Sequence, residues 1–496
     1  MTAFTILLFC AYCIYQVSAA AIADFRGSLK AAGIRGVFPG DPDYAASKRA
    51  YNLRFTFSPV AVTYPKDAKQ VAEIVKLGSV NNYKIVARSG GHSYIANGLG
   101  GKNGAVVVDL KSLSQITVSS NTATIGTGNR LGDVALALNA KGRAIPHGTC
   151  PYVGIGGHSS YGGFGFTSRM WGLTLDMITS MDVVLANGTS TTVSKDQSPD
   201  LFWAMRGAGG SYGIVTSIKV KTFEAPRSVT IFQYSWNLKA SDAAKAVSSF
   251  QKFAQGTNLP KEYASEFTIG RGNKVGYISF QLFGGWYGQE DNLKKILNPY
   301  LASLPKPSNG KFTTGSFIDS VTYVGGLGTL NVHIKPDATD TFYAKSLMTP
   351  ENSPISDAAL NAFMSYMAND GYKSNTNWFV QMELYGGKNS VINTVPSGAT
   401  AFVKRNALWT IQFYASSPNY QPPFPNSGFN FLDGMVNSIL KNSPSNWDYG
   451  AYTNYIDERL SNWQKVYYGS QYQRLKQIKQ TYDPKNVFSF PLGIGE

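Results

Sequence analysis

Cysteine is scarce in this chain of 496 residues: there are three, and two of them, Cys10 and Cys13, fall inside an apolar N-terminal stretch. Cys150 stands alone in the rest of the chain, which excludes a disulfide framework there. Histidine is limited to His92, His147, His158 and His333. A zinc centre needs three or four converging ligands. His147 and Cys150 are close enough in sequence for half a site, but no second half appears, so no metal is expected. A Cys–His nucleophile pair is possible in principle, but the surroundings of Cys150 match no cysteine-protease signature. Acidic residues are also in deficit, with 30 Asp and Glu against 45 Lys and Arg, a formal net charge of +15. That balance can mark a nucleic-acid binder. Here no run of five basic residues occurs and the positive charge is scattered, which argues against nucleic acid. Long apolar runs are missing as well. The stretch Phe4–Tyr15 is shorter than the ~20 residues a spanning helix needs, and nothing else approaches it, so no membrane span is expected. No glycine cluster reads G-x-G-x-x-G between a strand and a helix.

What the N-terminus does offer is a leader. The apolar Phe4–Tyr15 is followed by the small residues Val17, Ser18 and Ala19, so residues 1–20 read as a signal peptide despite an n-region without Lys or Arg. A secreted, extracellular and monomeric protein is the expectation. Asn187-Gly188-Thr189 would then be a glycosylation sequon if its turn is exposed.

The length suggests two domains. Asp67–Ser79 has helical apolar spacing, and Lys84–Ala87 reads as a buried strand. Short strands follow at Ala105–Leu110, Ser114–Val118 and Ala123–Thr127, then a helix over Arg130–Asn139. Met181–Ala186 and Thr191–Ser194 form a predicted hairpin around Asn187-Gly188. A helix over Pro199–Gly207 and a strand beginning at Gly213 complete a unit over 57–227. From residue 228 to 450 longer strands (Ile231–Trp236, Ile278–Leu282, Trp378–Leu384, Leu408–Tyr414) alternate with amphipathic helices such as Asp242–Gln255. These predict an extended sheet with helices on one face. Residues 451–496 return to compact turns and a helix. The fold class is α+β.

Two glycine-rich segments carry the chemistry: "RSGGHSY" (Arg88–Tyr94) and "GTCPYVGIGGHSSYGGFG" (Gly148–Gly165). Glycines allow a ligand close to the backbone, and successive N–H groups over Ser89–Ser93 could cradle phosphate. Together these segments resemble the FAD-linked oxidases of the vanillyl-alcohol oxidase fold, in the berberine-bridge-enzyme-like branch. The likeness extends over nearly the whole chain after residue 20. It implies a PCMH-type FAD domain followed by a substrate domain with an antiparallel sheet. It further implies that FAD is attached twice, through His92 to the 8α-methyl and through Cys150 to C6, which accounts for the lone thiol. Ser89, Gly90, Gly91, Ser93, Val153, Gly154, Gly157, His158, Gly162, Gly163, Gly213, Ile214 and Asn454 would border the cofactor. Val153 resembles the small residue that leaves dioxygen a path to the flavin. Ser28 and Leu77 stand where relatives carry a disulfide.

"GAYTNYIDERL" (Gly450–Leu460) resembles the family segment that holds the catalytic tyrosine, which places Tyr455 as the base. A phenol titrates near 10 and needs help. Glu383, in "WFVQMELYGGKN", stands where sugar oxidases often have Asp. Strand alternation puts Gln381 and Glu383 on one face. Tyr94, Gln381 and Gln412 would receive a sugar, with Phe283 departing from a polar position in relatives. The implied reaction removes a hydride from the anomeric C1 of a reducing oligosaccharide, with dioxygen as acceptor. Two alternatives remain open: oxidation of a phenolic or alkaloid-like metabolite, and a non-catalytic carbohydrate-binding surface protein.

Overall fold

The β-branched runs Ala61–Tyr64, Val106–Asp109 and Ile85–Arg88 pair in parallel, with Arg35–Val37 added antiparallel at the edge. Parallel strands are covered on both faces, and the first two are buried at every position. The crossover is the helix Ala68–Val80, which buries Val71, Ala72, Ile74 and Val75 as its spacing predicts. Asp67 caps it by accepting from Gln70 N at 2.9 Å. In the computed structural model, residues 22–256 and 259–496 are described; the predicted leader lies outside them.

A second sheet is antiparallel, in the order Ile116–Val118, Thr122–Gly126, Ile214–Lys221, Ile178–Val184, Ser190–Ser194. The predicted hairpin is present, with exposed Asn187 at its tip. The helix Pro199–Ala208 bends where Gly207, at φ +148°, lies against the backbone of Ala401 and Phe402.

The third sheet has seven antiparallel strands in the order Asn309–Gly315, Val229–Lys239, Tyr277–Trp286, Tyr263–Arg271, Asn377–Leu384, Ala407–Ser416, Phe342–Pro350. One face packs Phe267, Phe280, Val380, Met382 and Phe413 against the helices Ala240–Gly256, Asp357–Lys373 and Asn426–Leu440. The opposite face joins the aromatic cluster Phe342, Phe379 and Tyr414 to a polar patch. Register sets Thr268 beside Gln381 and Gln381 beside Gln412, and in the next row Glu266 beside Glu383 and Glu383 beside Thr410. The strand Tyr263–Arg271 was not anticipated, because burial on both faces leaves "YASEFTIGR" without polar alternation.

After this sheet the chain turns back to the parallel sheet. Ile85 N donates to Val487 O at 2.9 Å, and Lys479 Nζ donates to Ser211 O at 2.7 Å and Phe488 O at 2.8 Å. Among the described residues no helix is long and apolar enough to cross a membrane.

Candidate active site

Between this face of the seven-stranded sheet and the two glycine-rich loops lies a cavity of about 810 Å³, within the range of small-molecule and cofactor sites. The first loop contributes Ser89, Gly90, Gly91, His92, Ser93 and Tyr94, and the second contributes Cys150, Val153, Gly154, Gly157 and His158. Gly213, Gln381, Glu383, Gln412, Asn454 and Tyr455 complete the set brought together from the sequence. Gly162, Gly163 and Ile214 do not line the cavity. The two glycines sit against Tyr452 and Thr174, and Ile214 is buried in the core beside Val184.

The loops touch where neither has a side chain. A Cβ on Gly90 would overlap the backbone of Gly154, and one on Gly154 would overlap Gly90. Ser89 Oγ ties them, donating to Thr127 O at 2.5 Å and accepting from Gly156 N at 3.2 Å. Gly91 takes φ +74°, which turns the chain toward the cavity. Among the described residues, the N–H groups of Gly90, Gly91, His92 and Ser93 donate to nothing. Four unengaged amides at a glycine turn form a nest for an anion and suit the pyrophosphate of FAD.

His92 Nε2 lies 3.8 Å from Cys150 Sγ and 3.3 Å from Asp337 Oδ2. Tyr51 stacks on the ring at 3.7 Å between centroids. Burial opposes a charge on His92, but Asp337 and Cys150 outweigh it and hold its pKa at about 9. His158 is different. Its Nε2 accepts from Gly148 N at 3.0 Å, and burial, with His147 nearby, lowers its pKa to about 3. It is a neutral strut of the second loop, and Asn454 Nδ2 donates to its carbonyl at 3.1 Å.

On the sheet side, Tyr455 Oη donates to Glu383, 3.0 Å from Oε1 and 3.2 Å from Oε2. Burial, then the Glu383 charge, raises the phenol well above its ordinary range. Burial, then Glu266 on the neighbouring strand, raises Glu383 as well. Glu266 is itself pushed up to about 7 by burial, although Gln381 Nε2 donates to it at 3.0 Å. Phenol and carboxyl together can take a proton from a bound hydroxyl and relay it inward. The ring of Tyr94 lies parallel to that of Tyr455, 5.9 Å away, and Gln412 Nε2 donates to Tyr94 Oη at 2.6 Å. Sequence reasoning missed Glu266, Tyr51 and Asp337. Glu266 lies on the strand that lacked alternation, and the other two lie on loops that only tertiary structure brings to His92.

The FAD binding domain family matches residues 59–194, and the berberine and berberine-like family matches 451–495. A glucooligosaccharide oxidase of Sarocladium strictum is 37% identical over 455 residues, covering 88% of each chain. A chitooligosaccharide oxidase of Gibberella zeae is 35% identical, covering 92% of this chain and 91% of its own. Among solved structures, a glucooligosaccharide oxidase from Acremonium strictum with a 6-S-cysteinyl, 8α-N1-histidyl FAD superposes with a TM-score of 0.88. It is 32% identical and is covered over 98% of its length, against 95% of this chain. With the flavin loops, the returning C-terminal segment and near full-length relatives in agreement, the chain belongs to the berberine-like family of FAD-linked oxidases.

Proposed function

We propose that this protein oxidises the anomeric carbon of reducing oligosaccharides, with FAD bonded to both His92 and Cys150 and with dioxygen as the acceptor. The observation that carries this reading is the Tyr455–Glu383 pair at the head of a row of amides. Tyr455 is the base. As it takes the proton of the C1 hydroxyl, its own proton passes to Glu383, so no free phenolate is needed. Gln381 and Gln412 lie side by side on adjacent strands, one row from Glu383, at a spacing that suits neighbouring sugar hydroxyls. Tyr94 and Tyr455 offer parallel faces to the apolar C–H side of a pyranose. When bound, the flavin supplies the hydride acceptor and passes the electrons to dioxygen as hydrogen peroxide. The lactone product hydrolyses to an aldonic acid. Val153 lines the cavity between the two loops, where its small side chain leaves room for dioxygen.

The double attachment is supported by the proximity of the His92 and Cys150 side chains and by the relative that carries the same two links. An extracellular location is supported by the leader-like residues 1–20 and by the exposed sequon Asn at position 187. The test is an anaerobic titration with cellobiose, lactose and chitobiose while following the flavin absorbance. Bleaching by a sugar, reversed by air with release of peroxide, is expected. A bound flavin that no sugar reduces overturns the substrate assignment.

A further inference from the structure

The two ring nitrogens of His92 have different surroundings. Nε2 faces the Asp337 carboxylate at 3.3 Å and the Cys150 Sγ at 3.8 Å, while Nδ1 has no hydrogen-bond partner among the described residues. Tyr51 fixes the plane of the ring from one side. Asp337 does not line the flavin cavity; it belongs to a second groove outside it. It sits on the connection between the helix Phe317–Val324 and the strand Phe342–Pro350, which is part of the sheet-bearing half of the molecule. That connection is nonetheless clamped to the glycine-loop half at several points. Tyr152 Oη donates to Lys335 O at 2.8 Å, and Arg49 Nη2 donates to Thr339 Oγ1 at 2.9 Å. Leu53 N donates to Asp340 O at 2.7 Å. Within the run 334–338 every residue is exposed except Asp337, whose carboxylate is turned in to 23% exposure. The proton relay on the sheet makes no use of it.

We propose that Asp337 is a positioning residue for the covalent attachment of FAD to His92. It holds a proton on Nε2, so that Nδ1 is the nitrogen that gives up its proton to solvent and presents its lone pair to the 8α-methyl of the flavin. Which imidazole nitrogen reacts is set by what the other one faces, and the carboxylate within 3.3 Å of Nε2 favours the proton there. In the attachment step the Nδ1–C8α bond forms and one C8α–H bond breaks. That hydrogen leaves as a proton, its bonding electrons pass into the flavin ring, and the Nε2 proton moves to Asp337. Dioxygen then takes the two electrons with two protons and leaves as hydrogen peroxide, the same acceptor step proposed for turnover. The inference rests on the double-attachment reading above.

The experiment is a peptide mass analysis of the full-length protein after expression, unfolding and proteolysis, with fluorescence of the denatured band as a second readout. In the wild type one flavin joins the Cys150 peptide to the His92 peptide. In Asp337→Asn the flavin stays on the Cys150 peptide, and the fraction joined to His92 at a matched early harvest falls about tenfold, the lower end of the loss seen when the carboxylate behind a metal-ligating histidine is removed. Asp337→Glu restores the link. Total flavin per chain and the thermal transition stay at wild-type values, which separates loss of attachment from loss of fold. Should the Asn variant fail to fold, Asp337→Ser carries the same test. Full joining of both peptides in a folded variant without the carboxylate overturns the proposal. So does loss of both links together with a lowered thermal transition, because the carboxylate then serves the loop and not the ring. A wild type with flavin on neither peptide overturns the double-attachment reading itself, a result distinct from either.

Discussion

Glu383→Asp is the sharpest test of the relay. The substitution keeps the charge and withdraws the carboxylate by one methylene, about 1.5 Å. The strand cannot advance to compensate, since it is paired on both sides, to Glu266 and to Thr410. Tyr455 cannot descend either. Its N–H is bonded to Tyr452 O at 2.9 Å, and Asp457 is gripped by Lys345 Nζ at 2.8 Å and Tyr343 Oη at 2.9 Å. The Tyr455–carboxylate distance therefore opens from 3.0 Å to about 4.5 Å, beyond the ~3.2 Å reach of a hydrogen bond. A hydrogen bond to a charged group is worth roughly 1.5–3 kcal/mol. Near the upper end that is about a hundredfold in rate. The expected result is a flavin reduction rate about a hundredfold lower, measured anaerobically by rapid mixing with a reducing sugar, with a smaller change in the substrate concentration for half saturation. If the Asp variant reduces its flavin within about threefold of wild type, Glu383 assists by its charge alone and is not the acceptor of the phenol's proton.

The same site predicts a pH effect. The proposed relay needs Glu383 ionised, and burial together with the Glu266 charge raises its pKa, so activity should fall on acidification earlier than an ordinary carboxylate would dictate. Glu266→Gln removes the like charge, and the acid limb of the kcat/KM profile should move to lower pH; an unmoved limb refutes the coupling. Lys345→Met leaves Asp433 and the buried Asp457 without their shared cation. A loss of about 3 kcal/mol, read as a lower thermal transition, is expected for an uncompensated buried charge. Gly90→Ala puts a methyl into the backbone of Gly154, so the protein should be recovered with little flavin, seen in the ratio of flavin to protein absorbance.

How much of this was legible in the sequence follows from how far apart the interacting residues lie. The helix over 68–80 and the hairpin at Asn187-Gly188 are written locally, in apolar spacing, a cap and a turn, and they appear where predicted. The glycine loops were legible as loops because glycine at close approach has few substitutes, as Gly90 and Gly154 illustrate. The pairing of Tyr455 with Glu383 bridges 72 residues and came from resemblance to relatives. Alternation could only say that Gln381 and Glu383 share a face. It could not say that Glu266 would stand opposite, because register between strands is a tertiary property. Gly162 and Gly163 mark the limit of composition as a guide. They belong to the same glycine run as Gly154 and Gly157, yet they face Tyr452 and Thr174 instead of the cavity. Tyr452 Oη accepts from Gly163 N at 2.9 Å and Phe164 N at 3.0 Å, so these glycines let the C-terminal segment grip the second loop. Tyr455 lies three residues further along that segment. The same run of glycines therefore borders the cavity at one end and anchors the segment that carries Tyr455 at the other.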